Sequence, residues 1–242
     1  MFLRIEFGGT SNFLMLAVVQ ARINSNRLPG KALMQLGNKS ILNRTINRLK
    51  SSSKISSLVI ATSDQPADDE IESHARNLDV GVYRGNLEDV GSRLLETAIS
   101  KNANSFIRIS ADSPFIDWRI VDRAISLYQA SLPDLVTNVF PRTFPKGQSV
   151  EIIKTGVLAD ICKIERTPQQ KEHVTPYFYD HFKEFRIVSF TSEIDSSDSV
   201  HCIDDQDDFE RADEVVKEIG HEKWSWQDLD GFLQKRKFGV AR

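Results

Sequence analysis

Short apolar runs rich in β-branched residues alternate with helix-length amphipathic segments over the first 140 residues, and this alternation constrains the fold more than any other feature. Five runs predict strands, at residues 16–19, 58–61, 80–83, 106–109 and 135–137, and the first two are predicted to be buried. The spacing of apolar residues between them predicts helices at 41–50, 66–78, from 89 onwards and at 117–130, and Ser40, Asp89 and Asp117 are suited to start three of these helices as N-terminal caps. Such alternation favours an α/β fold with a doubly wound, mostly parallel sheet.

The strand–helix rhythm changes after residue 140, so we expect a mixed sheet. Further strands are predicted at 150–153, 185–190 and 200–203, and helices at 155–164, at 207–219 and in a short tail from 224. Met15 lies directly before the first strand, so residues 1–14 are interpreted as an N-terminal extension. Residues 15–242 contain no repeat or low-complexity linker and are predicted to form a single domain.

Composition narrows the class of protein further. The 242 residues carry a formal net charge of −3, which does not favour nucleic acid as a partner. No apolar run approaches the roughly 20 residues of a membrane span, and the N-terminus lacks the pattern of a signal peptide. Cys162 and Cys202 have neither metal-ligand nor disulfide-framework spacing, as is typical of reduced thiols. We therefore expect a cytoplasmic protein that binds neither nucleic acid nor membrane.

The first predicted strand opens into a loop that carries three cations, Arg22, Arg27 and Lys31. Pro29 and Gly30 form a turn directly before Lys31. Ligands of doubly wound sheets bind beyond the carboxyl ends of the strands, and three cations in one crevice suit a polyphosphate. The alternative is an ordinary solvated loop whose cations face water.

Two carboxylates follow runs that are distant in sequence. Asp112 comes just after the fourth predicted strand, and Asp204 comes directly after the run at 200–203. Both would reach the crevice that holds the basic loop, and two carboxylates suffice for Mg²⁺, because that ion retains waters and takes phosphate oxygens. The alternative is that each carboxylate caps the helix that follows it.

The string Gln20-Ala21-Arg22 with Ser25, followed by Arg27-Leu28-Pro29-Gly30-Lys31, resembles the N-terminal signature of the cytidylyltransferases that activate acidic sugars. That family includes the sialic-acid and 3-deoxy-octulosonate enzymes, and the spore coat polysaccharide biosynthesis protein F group is especially similar. Neither a Walker loop nor a dinucleotide fingerprint is present. The resemblance implies a Rossmann-like nucleotide-diphospho-sugar transferase fold.

The likeness extends from about residue 16 to 212 and includes both acidic segments. Asp112 and Pro114 match the family's Gly-Asp-x-Pro loop, with Ala111 in place of the glycine. Asp204 matches the first position of a later acidic motif. In the family these two aspartates bind metal, so the resemblance implies that Asp112 and Asp204 hold Mg²⁺.

Other segments that resemble the family correspond to its base, ribose and sugar contacts. The implied nucleotide-binding residues are Gln20, Ala21, Arg22, Ser25, Arg27, Lys31, Ala61, Thr62, Arg84 and Arg93. The implied sugar-binding residues are Arg142, Lys146, Glu151, Glu172 and His173. The aspartate usual two positions before Glu151 is Ser149 here, and this departure bears on which sugar is bound.

The reaction implied by the resemblance is attack of a sugar hydroxyl on the α-phosphate of CTP, with pyrophosphate as the leaving group. It would activate a sugar, expected to be acidic, for surface polysaccharide or glycan biosynthesis. Lys31, Arg22 and Asp112 are the expected catalytic residues. Because relatives pair through the region after residue 140, we expect a homodimer built from residues 140–200.

Several alternatives stay open at this point. Arg142 and Glu151 could form an ordinary surface pair, and His173 could be a capping or core residue. The whole chain could instead be a glycosyltransferase that consumes a nucleotide sugar, although Ser110 stands where the usual Asp-x-Asp motif would begin. A catalytically silent nucleotide-binding protein is the third reading, which loss of Lys31 or of either aspartate would have favoured.

Overall fold

A central sheet forms the frame of the computed structural model, which describes residues 15–219 and 224–239. The strands are β1 Met15–Gln20, β2 Gln35–Leu36, β3 Lys39–Ser40, β4 Ile55–Ser63, β5 Gly81–Gly85, β6 Ser105–Ser110, β7 Leu135–Thr137, β8 Glu151–Lys154 and β9 Ile187–Ser189. Seven of these strands share one sheet in the order β5-β4-β1-β6-β8-β7-β9, while β2 and β3 form a separate hairpin.

Only β8 runs against the others in the large sheet, where it is antiparallel to both β6 and β7. The pairs β1–β4, β1–β6, β4–β5 and β7–β9 are parallel. The predicted mostly parallel, mixed sheet is therefore confirmed. The chain order reverses at β1, so the carboxyl ends of β1, β4 and β6 border the crevice where such sheets bind ligands.

Helices cover the sheet and connect its strands. They are α1 Ile41–Lys50, α2 Asp69–Asn77, α3 Val90–Ser100, α4 Trp118–Ser131, α5 Thr155–Cys162, α6 Pro168–His173, α7 Pro176–Asp180, α8 Gln206–Ile219 and α9 Trp226–Gly239. The helices α1, α3 and α4 begin at side-chain caps, because Ser40, Asp89 and Asp117 accept backbone N–H bonds in their first turns. The capping residues in the sequence predict each of these helix starts.

Successive residues of the central strands point to opposite faces, which gives the sheet two apolar layers. Ala17 and Val19 pack with apolar side chains of α1, α2 and α4 on one face. Leu16 and Val18 pack with apolar side chains of α3, α5 and α7 on the other. This double cover explains why the strands read as continuous apolar runs.

The prediction of a strand at 200–203 is wrong. The segment forms one isolated bridge, between Lys146 and Val200. His201 donates its backbone N–H to the Lys146 carbonyl at 2.7 Å, and Ile203 donates to the Asp112 carbonyl at 2.9 Å. Because each end of the segment bonds to a different loop, it runs as an irregular tether and never joins the sheet.

Other differences are smaller. The predicted tail from 224 is a 14-residue helix, Trp226–Gly239, and the helices Pro168–His173 and Pro176–Asp180 were not predicted. Cys162 and Cys202 are free, as expected. No helix within 15–219 and 224–239 has the length and apolar character needed to cross a membrane. The predicted extension at 1–14 lies outside the described residues.

Candidate active site

The loop after β1 is anchored by a buried carboxylate. Asp68, which is 2% exposed, accepts the backbone N–H of Ile23 at 2.7 Å and the backbone N–H of Ser63 at 2.9 Å. It also accepts the Ser63 hydroxyl. Gly30 closes the loop in a left-handed conformation, with φ of 74°, and donates its N–H to the Ile23 carbonyl at 2.9 Å. The basic loop is therefore held against the end of β4.

Lys31 lies where the basic loop meets the two predicted metal ligands. Its Nζ donates to Asp112 Oδ2 at 2.8 Å, to Asp204 Oδ1 at 2.9 Å and to the Ile203 carbonyl at 2.8 Å. Burial works against the ammonium, but Asp112 and Asp204 prevail and raise the pKa of Lys31 above its ordinary value. Burial likewise opposes the charge of Asp204, yet Lys31 and Arg27 lower its pKa. Lys31 and Asp204 therefore stay ionised near neutral pH.

Neither aspartate caps the helix that follows it. The next helix after Asp112 is capped by Asp117, which accepts the Arg119 N–H at 2.9 Å. The helix α8 is capped by Asp205, which accepts the Asp208 N–H at 2.9 Å. The capping alternative is thus excluded for Asp112 and Asp204, whose carboxylates line the crevice instead.

Two cavities adjoin each other around this point. The first, of about 370 Å³, includes in its lining Gln20, Ala21, Arg22, Ser25, Arg27, Lys31, Arg93, Asp112, Glu172, His173 and Asp204. The second, of about 330 Å³, includes Asp112, Arg142, Lys146, Ser149, Glu151, His173 and Asp204. Both are also lined by Arg108 and Ser110. The structure therefore brings most of the residues expected at the nucleotide and sugar sites to one continuous cleft.

Three residues expected near the base and ribose do not line either cavity. Ala61 and Thr62 are buried in β4, where the Ala61 carbonyl accepts the N–H of Ala21 at 3.1 Å. Arg84 is bound elsewhere, to Asp69 at 2.5 Å and to Glu72 at 3.0 Å. Contact of these three residues with a nucleotide stays a prediction.

Arg22 and Glu172 face each other across the mouth of the first cavity. The Arg22 Nη2 donates to Glu172 Oε1 at 2.8 Å, and both side chains are more than a third exposed. The pair joins the basic loop to α6, whose last residue, His173, lines both cavities. A residue expected on phosphate and one expected on sugar are thus direct neighbours.

Arg108 is the main site residue that was not predicted. It donates from Nε to Gln20 Oε1 at 2.9 Å and from Nη1 to Glu151 Oε2 at 2.5 Å. Tyr179 donates its hydroxyl to the other oxygen of Glu151 at 2.5 Å. Burial is the main cause that raises the pKa of the Tyr179 phenol, and the charge of Glu151 adds to it. The sequence signal that could have identified Arg108 as a site residue is its position as a cation inside the apolar run at 106–109.

Glu151 is bound by two side chains that the sequence did not place beside it, and its contact with a sugar stays a prediction. Its carboxylate is buried and bound to Arg108 and Tyr179, although it still borders the second cavity. It does not pair with Arg142, whose Nη1 and Nη2 both donate to Ser149 Oγ at 3.1 Å. The surface-pair alternative for Arg142 and Glu151 is wrong, because Arg108 lies opposite Glu151 on the neighbouring strand.

The donor set fits a hard divalent cation that shares its ligands with a phosphate. Two carboxylates, Asp112 and Asp204, border both cavities and share the ammonium of Lys31. No group of three or more His, Cys, Asp or Glu side chains suited to a metal occurs in the described part of the chain. Mg²⁺ is usually bound through one or two carboxylates plus substrate phosphates, so this pair matches its needs.

Comparison with known proteins agrees with this geometry. The chain is 33% identical over 180 residues to the spore coat polysaccharide biosynthesis protein SpsF of Bacillus subtilis, covering 72% of this chain and 73% of that one. It is 28% identical over 174 residues to a 3-deoxy-manno-octulosonate cytidylyltransferase of Solibacter usitatus, covering 68% of each.

A solved structure of a cytidylyltransferase from Leptospira borgpetersenii matches with a TM-score of 0.87 and 30% identity, over 93% of this chain and 95% of that one. The predicted nucleotide-diphospho-sugar transferase fold is confirmed. The family model described as "Cytidylyltransferase" matches residues 16–228. The chain therefore belongs to the cytidylyltransferase family. In this member of the family, the basic loop and the two aspartates lie at two adjoining cavities.

Proposed function

We propose that this cytidylyltransferase transfers CMP from CTP to an acidic sugar, with release of pyrophosphate, and serves surface polysaccharide or glycan biosynthesis. The observation that carries the proposal is the junction of two cavities at Lys31, Asp112 and Asp204. A nucleotide triphosphate in the first cavity and a sugar in the second would meet at this junction. The names of the Bacillus and Solibacter relatives support polysaccharide synthesis and an acidic sugar.

The basic loop suits the triphosphate. Arg22, Arg27 and Lys31 all line the first cavity, together with the hydroxyl-bearing Ser25. Lys31 is the least exposed of the three cations, so its charge acts in a site of lower dielectric than water. We assign Lys31 to the negative charge that develops during displacement at the α-phosphate, and Arg22 to binding of the phosphate chain.

Asp112 and Asp204 would hold Mg²⁺ beside the phosphates. When bound, the ion would polarise the α-phosphate and lower the pKa of a coordinated hydroxyl. The carboxylates themselves keep Lys31 charged and oriented through their hydrogen bonds. His173 borders both cavities and can donate or accept a hydrogen bond at the sugar.

Two cations of the second cavity, Arg142 and Lys146, suit an anionic sugar. Among its charged lining residues, Arg108 pairs with Glu151, while Asp112 and Asp204 pair with Lys31. Within the described residues, no carboxylate lies at ion-pair distance from Arg142 or Lys146, which line the same cavity. Arg142 and Lys146 are therefore the cations of this cavity that have no carboxylate beside them, and a sugar carboxylate would bind one of them.

The test is a screen of pyrophosphate release. CTP, UTP, ATP and GTP are each combined with acidic sugars and with neutral sugars, with and without Mg²⁺. We expect release from CTP with an acidic sugar, and its loss in excess chelator. Release that depends on UTP or on neutral sugars alone would contradict the proposal.

The role of Arg142 is tested separately with Arg142→Ala. We expect the KM for the acidic sugar to rise by about tenfold or more, the size of one lost hydrogen bond to a charged group. CTP binding should be preserved, because Arg142 lines only the second cavity. A collapse of CTP binding with unchanged dependence on sugar would place the carboxylate site elsewhere.

A further inference from the structure

The proposed metal ligand Asp204 is carried to the cleft by the irregular segment 199–204, which we call the tether. Backbone hydrogen bonds join the tether to Lys146, which lines the second cavity. Lys146 donates its N–H to the Ser199 carbonyl at 2.9 Å, and its carbonyl accepts the N–H of His201 at 2.7 Å. The same stretch of backbone therefore links a carboxylate at the junction of the cavities to a cation of the sugar side.

The tether and the loop that carries Lys146 pack backbone against backbone. Gly147 has φ of 92°, and a Cβ added to it would lie 2.5 Å from the backbone N of Cys202 and 2.6 Å from the backbone C of His201. Carbon atoms pack at about 3.5–4.0 Å, so only glycine fits here. Displacement of the tether would therefore displace this loop as well.

The C-terminal helix α9 contacts the tether through a pair of buried polar side chains. His201 is 2% exposed, and its Nε2 lies 3.5 Å from Oδ1 of Asp230, which is 6% exposed. In the part of the chain that the structure describes, neither of these two atoms has another hydrogen-bond partner. Because a buried polar atom without a partner is costly, each atom depends on the other.

The direction of the hydrogen bonds at His201 is set by the buried Gln148. Gln148 Oε1 accepts the N–H of Asp117 at 2.8 Å, so Nε2 is the donor. It donates to the Phe115 carbonyl at 2.8 Å and to His201 Nδ1 at 3.3 Å. Because Nδ1 accepts and burial lowers the pKa of His201, the imidazole is neutral and carries its proton on Nε2, facing Asp230.

We propose that Asp230 is a positioning residue of the active site, which fixes His201 and through the tether sets the positions of Asp204 and Lys146. The inference rests on the proposed function, in which Asp204 binds Mg²⁺ and Lys146 faces the sugar. A displacement of about 1 Å at a reacting centre is enough to slow an enzyme severely. A contact made by α9 therefore affects turnover in the cleft.

The experiment breaks the pair from either side. Asp230→Ala removes the partner of His201, and His201→Asn withdraws the nitrogen that faces Asp230 while its amide oxygen still accepts from Gln148. Ser196→Ala is the matched control, because the Ser196 hydroxyl donates at 3.1 Å to Oδ2, the other oxygen of Asp230. Asp230→Asn is the conservative variant, because its amide oxygen accepts the same proton.

The first readout is hydrogen–deuterium exchange of the metal-free protein. In Asp230→Ala and in His201→Asn we expect exchange in peptides that cover 199–204 to rise by about tenfold, as for one lost hydrogen bond. The rise should exceed that in β1, whose amides report on global stability. Asp230→Asn and Ser196→Ala should stay close to the wild type.

The second readout is pyrophosphate release from CTP with whichever of 3-deoxy-manno-octulosonate, N-acetylneuraminate and galacturonate reacts fastest. The KM for the sugar and the Mg²⁺ concentration at half-maximal rate should both rise by about tenfold in Asp230→Ala and in His201→Asn. The affinity for CTP in excess chelator should change little, because Asp68 anchors the basic loop separately. The double variant should be no worse than either single one, since both residues act along one path.

The outcomes separate the inference from the proposed function. Tether exchange that rises no more than that of β1, losses of equal size in Ser196→Ala, or additive losses in the double variant would overturn the inference. If Asp230→Ala did not fold, His201→Asn would give the same test of exchange and kinetics. A wild type without Mg²⁺-dependent release would instead refute the proposed function, and the inference would fall with it.

Discussion

At the residue scale, the chemistry centres on the two aspartates that share Lys31. Their carboxylates are 2.8 and 2.9 Å from its Nζ, and neither is used to cap a helix. Because Asp117 and Asp205 cap the helices that follow, the carboxylates of Asp112 and Asp204 are available to a ligand in the cleft. The ammonium of Lys31 also keeps Asp204 charged in the absence of that ligand.

We predict that Asp112→Asn and Asp204→Asn each lower kcat by about a hundredfold or more, because a metal ligand supports several kcal/mol of charge stabilisation. Both changes are nearly isosteric, so the melting temperature should fall little. Asp205→Asn is the matched control, since Asn is also a good helix cap. Normal Mg²⁺–CTP binding by calorimetry together with normal turnover in both variants would refute the metal role.

At the element scale, the basic loop depends on the short 3-10 turn Pro66–Asp68 that carries its anchor. Asp68 bonds the N–H of Ile23 with one oxygen and Ser63 with the other. In Asp68→Asn, an amide NH₂ must face one of these donors. We expect the KM for CTP to rise by about tenfold, the cost of one unmet buried hydrogen bond.

Asp69→Asn is the control for this prediction, because the Asp69 side chain is largely exposed and bonds only to Arg84 among the described residues. Its CTP kinetics should match those of the wild type. Equal kinetics in Asp68→Asn would show that the loop holds its shape without this anchor.

At the scale of the whole molecule, we propose a homodimer built from residues 140–200. An aromatic cluster is exposed there: Phe140 is 39% exposed and Phe182 50%, with ring centroids 6.2 Å apart. Exposed aromatic side chains are enriched in protein interfaces. Phe182→Glu should therefore give a monomer by light scattering at micromolar concentration. Ile99→Glu, at another exposed apolar position, should leave the dimer intact, and a monomeric wild type would exclude the proposal.

The sequence by itself determined the features whose physics is local. Helix starts at Ser40, Asp89 and Asp117 followed from capping, which joins residues only two or three positions apart. Strand positions followed from apolar runs, because strands covered on both faces must be apolar throughout. The signature at 20–31 is likewise contiguous in the chain, so its resemblance to the cytidylyltransferases is a property of the sequence alone.

Tertiary structure alone decided which side chains meet. Arg108 joins Glu151, 43 positions away, only because β8 pairs with β6, and Arg142 then has Ser149 as its partner. The segment at 200–203 is apolar enough for a strand, yet its backbone bonds go to the loops that carry Lys146 and Asp112. The choice among such partners depends on the order of the strands and on the packing of the loops. The local propensity of a segment determines neither of these.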